Sequence, residues 1–301
     1  MAKEKVSQDL LDPKTVSQAE ALGLQARFIV EGYMSGEHKS PYRGFAIEFT
    51  QHREYVPGDD IRHLDWKVLG RTDRYYLKQY EQETNYVGHI LLDASESMKY
   101  GSAKTSKLHY GKQIAAVLAY LILLQRDAVG VEVFDAQVRH HIPRTGNMHS
   151  IHNIMGVLGA LEGNGGTDIA GILHMMAGQI KRKGIVIIIS DFFDDEAAIL
   201  EGIQHIRFGG SEVIVFHVMD PYELEFPFKG MVEFDGLESK SRILTRPSEI
   251  RQSYLKEVQG FCDRIKEGCE RNQCHYTLLD TSHSLTDALT GYLAFRRRTT
   301  V

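Results

Sequence analysis

Apolar positions along the chain follow two alternating patterns. Short runs rich in β-branched residues occur at 87–93, 128–134, 185–189, 212–219 and 274–279. Longer stretches between them carry apolar residues at helical spacing, at 106–125, 148–161, 168–181, 195–207 and 248–271, with a closing stretch at 284–297. The run at 185–189 is five consecutive β-branched residues, the composition of a strand buried on both faces. A short alternating run at 138–142 follows 128–134 closely enough to form a hairpin. Strand–helix alternation of this kind predicts an α/β domain over residues 84–301: a doubly wound, mostly parallel sheet with one antiparallel edge strand. Residues 221–246, aromatic and turn-rich, read as an inserted hairpin.

The first 83 residues follow a different pattern. After a polar start, Val16, Ala19, Leu22, Ala26 and Ile29 recur near helical spacing from Pro13 onward, with Asp12 placed to cap the helix. Residues 31–57 break into glycine, proline, histidine and aromatic positions, with short strands expected near 45–49 and 75–80. This helical and extended segment, residues 1–83, is expected to pack on the main domain.

Composition changes the picture only by exclusion. A formal net charge of -5 and a lone basic run at Arg296–Arg298 leave no clustered cationic surface for nucleic acid. The three cysteines lack C-x-x-C spacing and read as buried thiols in a reducing compartment. The N-terminus has no apolar signal core, and the longest apolar run, 114–124, is far short of the roughly 20 residues of a membrane span. The expectation is a cytoplasmic protein without a transmembrane segment.

Candidate chemistry collects where the strands end. In doubly wound sheets, ligands bind beyond the carboxyl ends of the strands, near the point where strand order reverses. Asp93, Ser95 and Ser97 follow the first strand of the domain as D-A-S-E-S. Alternate residues of an extended loop point the same way, so three hard oxygens could converge. A glycine-rich turn, Gly165-Gly166-Thr167-Asp168, opens a later helix, and Asp191 ends the most hydrophobic strand, with Asp194 close behind. Hydroxyl and carboxylate oxygens without histidine or cysteine suit Mg²⁺, Mn²⁺ or Ca²⁺. From chemistry alone, D-x-S-x-S reads equally well as a helix N-cap cluster.

Enzyme motifs are missing where they would be needed. The turn after the first strand has no glycine for a dinucleotide fold, and the stretch Gly101-Ser-Ala-Lys104-Thr105 lacks the second glycine of a phosphate loop. Ser95 stands where a haloacid-dehalogenase-type phosphatase would have its second aspartate, and no G-x-S-x-G occurs. The histidine pairs 140/141 and 149/152 have no third ligand in the sequence pattern. Metal-dependent hydrolysis at the acidic cluster is the enzyme alternative left standing, and it would need a general base and a substrate pocket.

The three oxygen-rich segments resemble the metal-ion-dependent adhesion site of von Willebrand factor A domains: D-x-S-x-S after the first strand, a threonine in a G-G-T turn, and an aspartate after a later strand. On that resemblance the ion would be held by Asp93, Ser95, Ser97, Thr167 and Asp191, with Asp168 and Asp194 as acids behind them. One departure is local: many members have glycine directly after the last aspartate, where this chain has Phe192.

A second signature precedes the domain, running from Arg53 through Tyr55, Gly58, Asp59, Asp60, Arg62 and Asp65 to Trp66. It resembles that of the bacterial family called domain of unknown function 58, in which it stands before a von Willebrand A-like domain. The resemblance implies a protein-interaction module rather than an enzyme. Its expected partner is a MoxR-type AAA+ ATPase or that ATPase's client, served as adaptor or co-chaperone in complex assembly. Physically, Pro57-Gly58-Asp59-Asp60 is turn chemistry. Arg53 and Arg62 are placed to pair with Asp59, Asp60 or Asp65, and Trp66, the sole tryptophan, is expected to be a packing anchor.

Overall fold

The computed structural model describes residues 47–56, 65–72, 74–82, 87–102, 105–124, 126–180, 183–237 and 242–283, together with residue 285. They fall in two compact units, one within Met34–Asn85 and one from Tyr86 onward. The helix expected over 13–30 and the closing helix over 284–297 lie outside the described residues, as do Gly58, Asp59, Asp60 and Arg62.

The smaller unit contains strands β1 (Ile47–Glu54) and β2 (Tyr76–Gln82), paired antiparallel with a register shift between Phe49 and Gln51. Between them lies a short helix, α1 (Trp66–Thr72), that the apolar pattern does not announce. Its start is fixed by Asp65, whose Oδ1 accepts the backbone N–H groups of Lys67 (2.9 Å) and Val68 (3.3 Å). The final aspartate of the signature is therefore a helix cap. Trp66 is 66% exposed. It opens this helix, on which Val68 and Leu69 are half-buried.

The larger unit is built on a six-stranded sheet. Its strands are β3 (Val87–Asp93), β4 (Ala128–Phe134), β5 (Val138–Thr145), β6 (Ile185–Ser190), β7 (Glu212–Met219) and β10 (His275–Asp280). Their order is β10-β7-β6-β3-β4-β5, and every neighbouring pair is parallel except β4 with β5. This is the doubly wound, mostly parallel sheet with one antiparallel edge strand that the alternation predicts.

Helices α2 (Lys107–Leu124), α3 (Ser150–Ala160), α4 (Ile169–Gln179), α5 (Glu196–Phe208) and α7 (Pro247–Arg271) supply the outer layers. The pleat divides the strands between two cores. Ile90, Leu92, Ile187, Ile189, Ile214 and Phe216 face one, with Ile114, Val117 and Ile154 from α2 and α3. Leu91, Val186, Ile188, Val213 and Val215 face the other, with Leu173, Ile199, Ile203 and Ile265 from α4, α5 and α7. Complete burial of such side chains contributes about 1.5–3 kcal/mol each. This is why the central strands carry apolar residues on both faces instead of alternating with polar ones. Cys262, Cys269 and Cys274 are free and buried, as their spacing implies.

Residues 221–246 begin with a helix, α6 (Pro221–Glu225), before the expected hairpin, β8 (Val232–Asp235) with β9 (Arg242–Thr245). Among the described residues, no helix is long and apolar enough to cross a membrane. The apolar run at 114–124 belongs to α2, where most of it is buried.

Candidate metal centre

β3 and β6 are adjacent, but the chain leaves β3 for β4 on one side and returns to β6 on the other. Strand order reverses between them, and their carboxyl ends deliver Asp93 and Asp191 to the same crevice. Both carboxylates are almost completely buried, as are Ser95 and Ser97.

The loop after β3 is folded by its own polar groups. Asp93 Oδ1 accepts the Ser95 N–H at 2.9 Å, and the Ser95 and Ser97 hydroxyls lie 3.0 Å apart. Ser97 begins a single 3-10 turn, Ser97–Lys99. The turn before α4 docks directly on this loop: Asn164 donates to the Ala94 carbonyl at 3.0 Å, and Glu96 donates to the Gly165 carbonyl at 3.0 Å. Two glycines permit this approach. A Cβ on Gly163 would stand 3.0 Å from the Ser95 carbonyl oxygen, and Gly165 has φ +76°. The turn carries Thr167, whose hydroxyl oxygen is buried without a hydrogen-bond partner. A buried hydroxyl left unpaired costs on the order of 1–3 kcal/mol, which a bound ligand would offset.

The two acids behind the site have local duties. Asp168 caps α4, accepting the Gly171 N–H at 3.0 Å. Asp194 accepts the Ile169 N–H at 3.2 Å and so ties the start of α4 to the loop after β6.

Three residues the sequence pattern does not reveal complete the arrangement. The Ser190 hydroxyl donates to Asp93 Oδ2 at 2.5 Å. Lys107, the first residue of α2, has a fully buried side chain and donates to Asp191 Oδ2 at 2.8 Å and to Glu223 Oε1 at 2.6 Å. Glu223 is held in turn by a capping box at α6, where Glu223 Oε2 accepts the Asp220 N–H at 2.9 Å. Asp220 also accepts the Ser102 N–H at 2.8 Å and the Ser102 hydroxyl, fixing the loop ahead of α2.

Burial first, and then the charge of Asp191, push the Asp93 carboxyl up to about 7, against the hydrogen bonds from Ser190 and Ser95. Burial also opposes the Lys107 charge, but Asp191 and Glu223 outweigh it and raise the ammonium's pKa. His217, on β7 behind Asp191, is pushed down to about 4 by burial and is neutral.

Phe192 resolves the departure noted in the sequence. Its φ is +58°, the left-handed region, which glycine accepts more easily than any residue with a Cβ. The phenylalanine is tolerated because its ring is completely buried, edge-on to His217 at 5.4 Å.

The candidate residues offer two carboxylates and three hydroxyls, each in a turn or at a strand end. Among the described residues, no group of three or more His, Cys, Asp or Glu side chains is placed to hold a metal. Carboxylate and hydroxyl oxygens of this kind are the donor chemistry that suits a hard cation such as Mg²⁺. Asp93 accepts from Ser190 and from both the backbone and the side chain of Ser95, whereas among the described residues Asp191 Oδ1 has the long 3.4 Å contact from the Phe193 N–H.

Comparison with known proteins places these residues in context. A family model described as protein of unknown function DUF58 matches residues 51–260. Uncharacterized proteins of Mycobacterium tuberculosis and Mycobacterium bovis are 26% identical over 237 residues, covering 77% of this chain and 73% of theirs. Among solved structures, the conserved hypothetical protein BatB from Bacteroides thetaiotaomicron covers 71% of this chain and 99% of its own, at 20% identity and TM-score 0.47. The SpRpn10 VWA domain covers 69% and 94%, at 15% identity and TM-score 0.40. The fold assignment rests on the strand order of the chain itself.

Proposed function

The chain belongs to the DUF58 family, and on that premise we propose that it is a divalent-metal-dependent protein-interaction module, without catalytic turnover. The observation that carries the reading is the unpaired, buried Thr167 hydroxyl, on a turn whose residues Asn164 and Gly165 are hydrogen-bonded to the loop carrying Asp93, Ser95 and Ser97. Asp93, Ser95, Ser97 and Thr167 would hold Mg²⁺, or Mn²⁺ or Ca²⁺, and Asp191 would contribute through Oδ1. The ion, when bound, supplies an electrophilic position for a partner's carboxylate. The chain's own residues do the rest. Ser190 and the Ser95 N–H fix the Asp93 carboxylate, and the glycine turn seats Thr167. Lys107 holds Asp191 by its other oxygen.

The proposed partner is a MoxR-type AAA+ ATPase or its client, with this chain as adaptor or co-chaperone. That choice rests on family resemblance, and no residue described above selects it. A second reading has one observation in its favour: Lys107 already places a cation on Asp191, so the domain could serve as a scaffold that needs no metal.

The test is capture of a purified MoxR-type ATPase from the same genome by the immobilised chain, in Mg²⁺, in chelator, and with Asp93→Ala. Capture that requires Mg²⁺ and fails in the variant supports the metal-dependent reading. Capture indifferent to both chelator and variant overturns it in favour of the scaffold.

A further inference from the structure

Lys107 is the most unusual residue of the site. Lysine is among the residues least often fully buried, yet this side chain has no exposure. It also stands at the first position of an 18-residue helix, where the helix dipole presents positive charge and disfavours a cation. Two carboxylates compensate, Asp191 and Glu223. The Phe193 ring lies 4.8 Å from the ammonium and the Tyr100 ring 5.9 Å away. Phe193 is in turn stacked on Phe261 of α7 at 5.4 Å. The ammonium is thus enclosed by acids and aromatic faces, and its position is fixed by both elements that carry its partners.

Its effect on the crevice follows from charge and geometry. Lys107 takes up part of Asp191 Oδ2, so Oδ1, with its one long contact, is the freer oxygen for an ion held by Asp93 and the hydroxyls. The same ammonium is a fixed positive charge beside that ion. At short range and low dielectric, like charges repel strongly.

We infer that Lys107 is a resident counter-cation that weakens the site's hold on a divalent ion, so that firm occupancy requires the negative charge of a partner's carboxylate. Ion and partner then bind with positive coupling, each raising the other's affinity by the same factor. This inference rests on the metal-dependent reading above and adds to it the residue that makes occupancy conditional.

The experiment is calorimetric titration of the chelator-stripped full chain with Mn²⁺, with and without excess acetate as the carboxylate probe. It uses wild type, Asp93→Ala, Lys107→Arg and the charge-paired variant Lys107→Met with Glu223→Gln. The paired variant removes the ammonium without stranding Glu223 as an unpaired buried charge.

Acetate is expected to tighten Mn²⁺ binding by wild type at least tenfold. The paired variant is expected to bind Mn²⁺ at least tenfold tighter than wild type without acetate, and to respond less to it. Lys107→Arg, keeping the charge, should retain the wild-type acetate response. Equal or weaker Mn²⁺ binding in a folded paired variant overturns the inference. So does wild-type binding that is indifferent to acetate, a result that needs no variant to fold. Either leaves the metal site itself intact, provided Asp93→Ala loses the ion. No Mn²⁺ binding by wild type in any condition overturns the metal site and the inference together.

Discussion

Replacing Asp93 with asparagine should flatten part of the pH dependence of folding stability. The native carboxyl is raised from its ordinary 3.8 to about 7 by burial and by Asp191. Between those values the native state keeps a proton that the unfolded chain has released. Stability from this group is fully present below pH 3.8, falls as pH rises, and is lost by about pH 7. A shift of roughly three units at 1.36 kcal/mol each gives on the order of 4 kcal/mol across the window.

Other groups titrate in the same window. Burial raises Glu132 to about 7, which adds the same trend, and lowers His217 to about 4, which opposes it. The difference between wild type and Asp93→Asn isolates the aspartate, because asparagine resembles the protonated acid in shape and charge. The assay is urea unfolding of metal-free protein at pH 5 and pH 8 for both proteins. Because about two units of the shift lie above pH 5, wild type is expected to lose about 2–3 kcal/mol more than the variant between these two pH values. Saturating Mg²⁺, which requires the ionised carboxylate, should restore wild type at pH 8 and leave the variant unchanged. Parallel pH profiles for the two proteins would refute the argument that Asp93 is a buried acid held next to a second negative charge.

Phe192→Gly should be less stable than wild type, because loss of a buried phenyl ring costs about 3–5 kcal/mol. It should nevertheless exceed Phe192→Ala by about 1 kcal/mol, since only glycine accepts φ +58° freely. Chemical denaturation of the two variants tests this, and a more stable alanine variant would contradict it. Burial raises the Cys262 thiol to about 11 and the Cys274 thiol to about 12, and raises Cys269 as well. All three should therefore resist a disulfide reagent at pH 8 in the native state and react fully in denaturant. Fast native labelling of any of them would contradict their burial. Trp66, exposed and the sole tryptophan, should fluoresce at the long-wavelength limit of a solvated indole and be readily quenched by acrylamide. A blue-shifted, protected emission would mean that the indole is covered after all.

The sheet was legible because its strands announce themselves by composition. The run at 185–189, apolar on both faces, has to lie centrally between two helical layers, and it does. The strand-end acids were legible for a related reason: a strand that ends in Asp93 or Asp191 places that residue at the carboxyl edge whatever the loops do. Long-range pairings were not legible. Lys107 and Glu223 are separated by 116 positions, and each looks like an ordinary surface charge on a helix start. The single clue was electrostatic: a lysine in the first helical turn is disfavoured unless acids lie nearby. Ser190 is hidden in the same way, as a small residue at the end of a hydrophobic strand.

The most direct test of the account is a count of bound ions. Chelator-stripped wild type and Asp93→Ala are equilibrated with Mn²⁺ and acetate, and free Mn²⁺ is read by electron paramagnetic resonance. The account predicts saturation near one ion per chain in wild type and none in the variant. An equal number of ions on both proteins, or none on wild type, would contradict it.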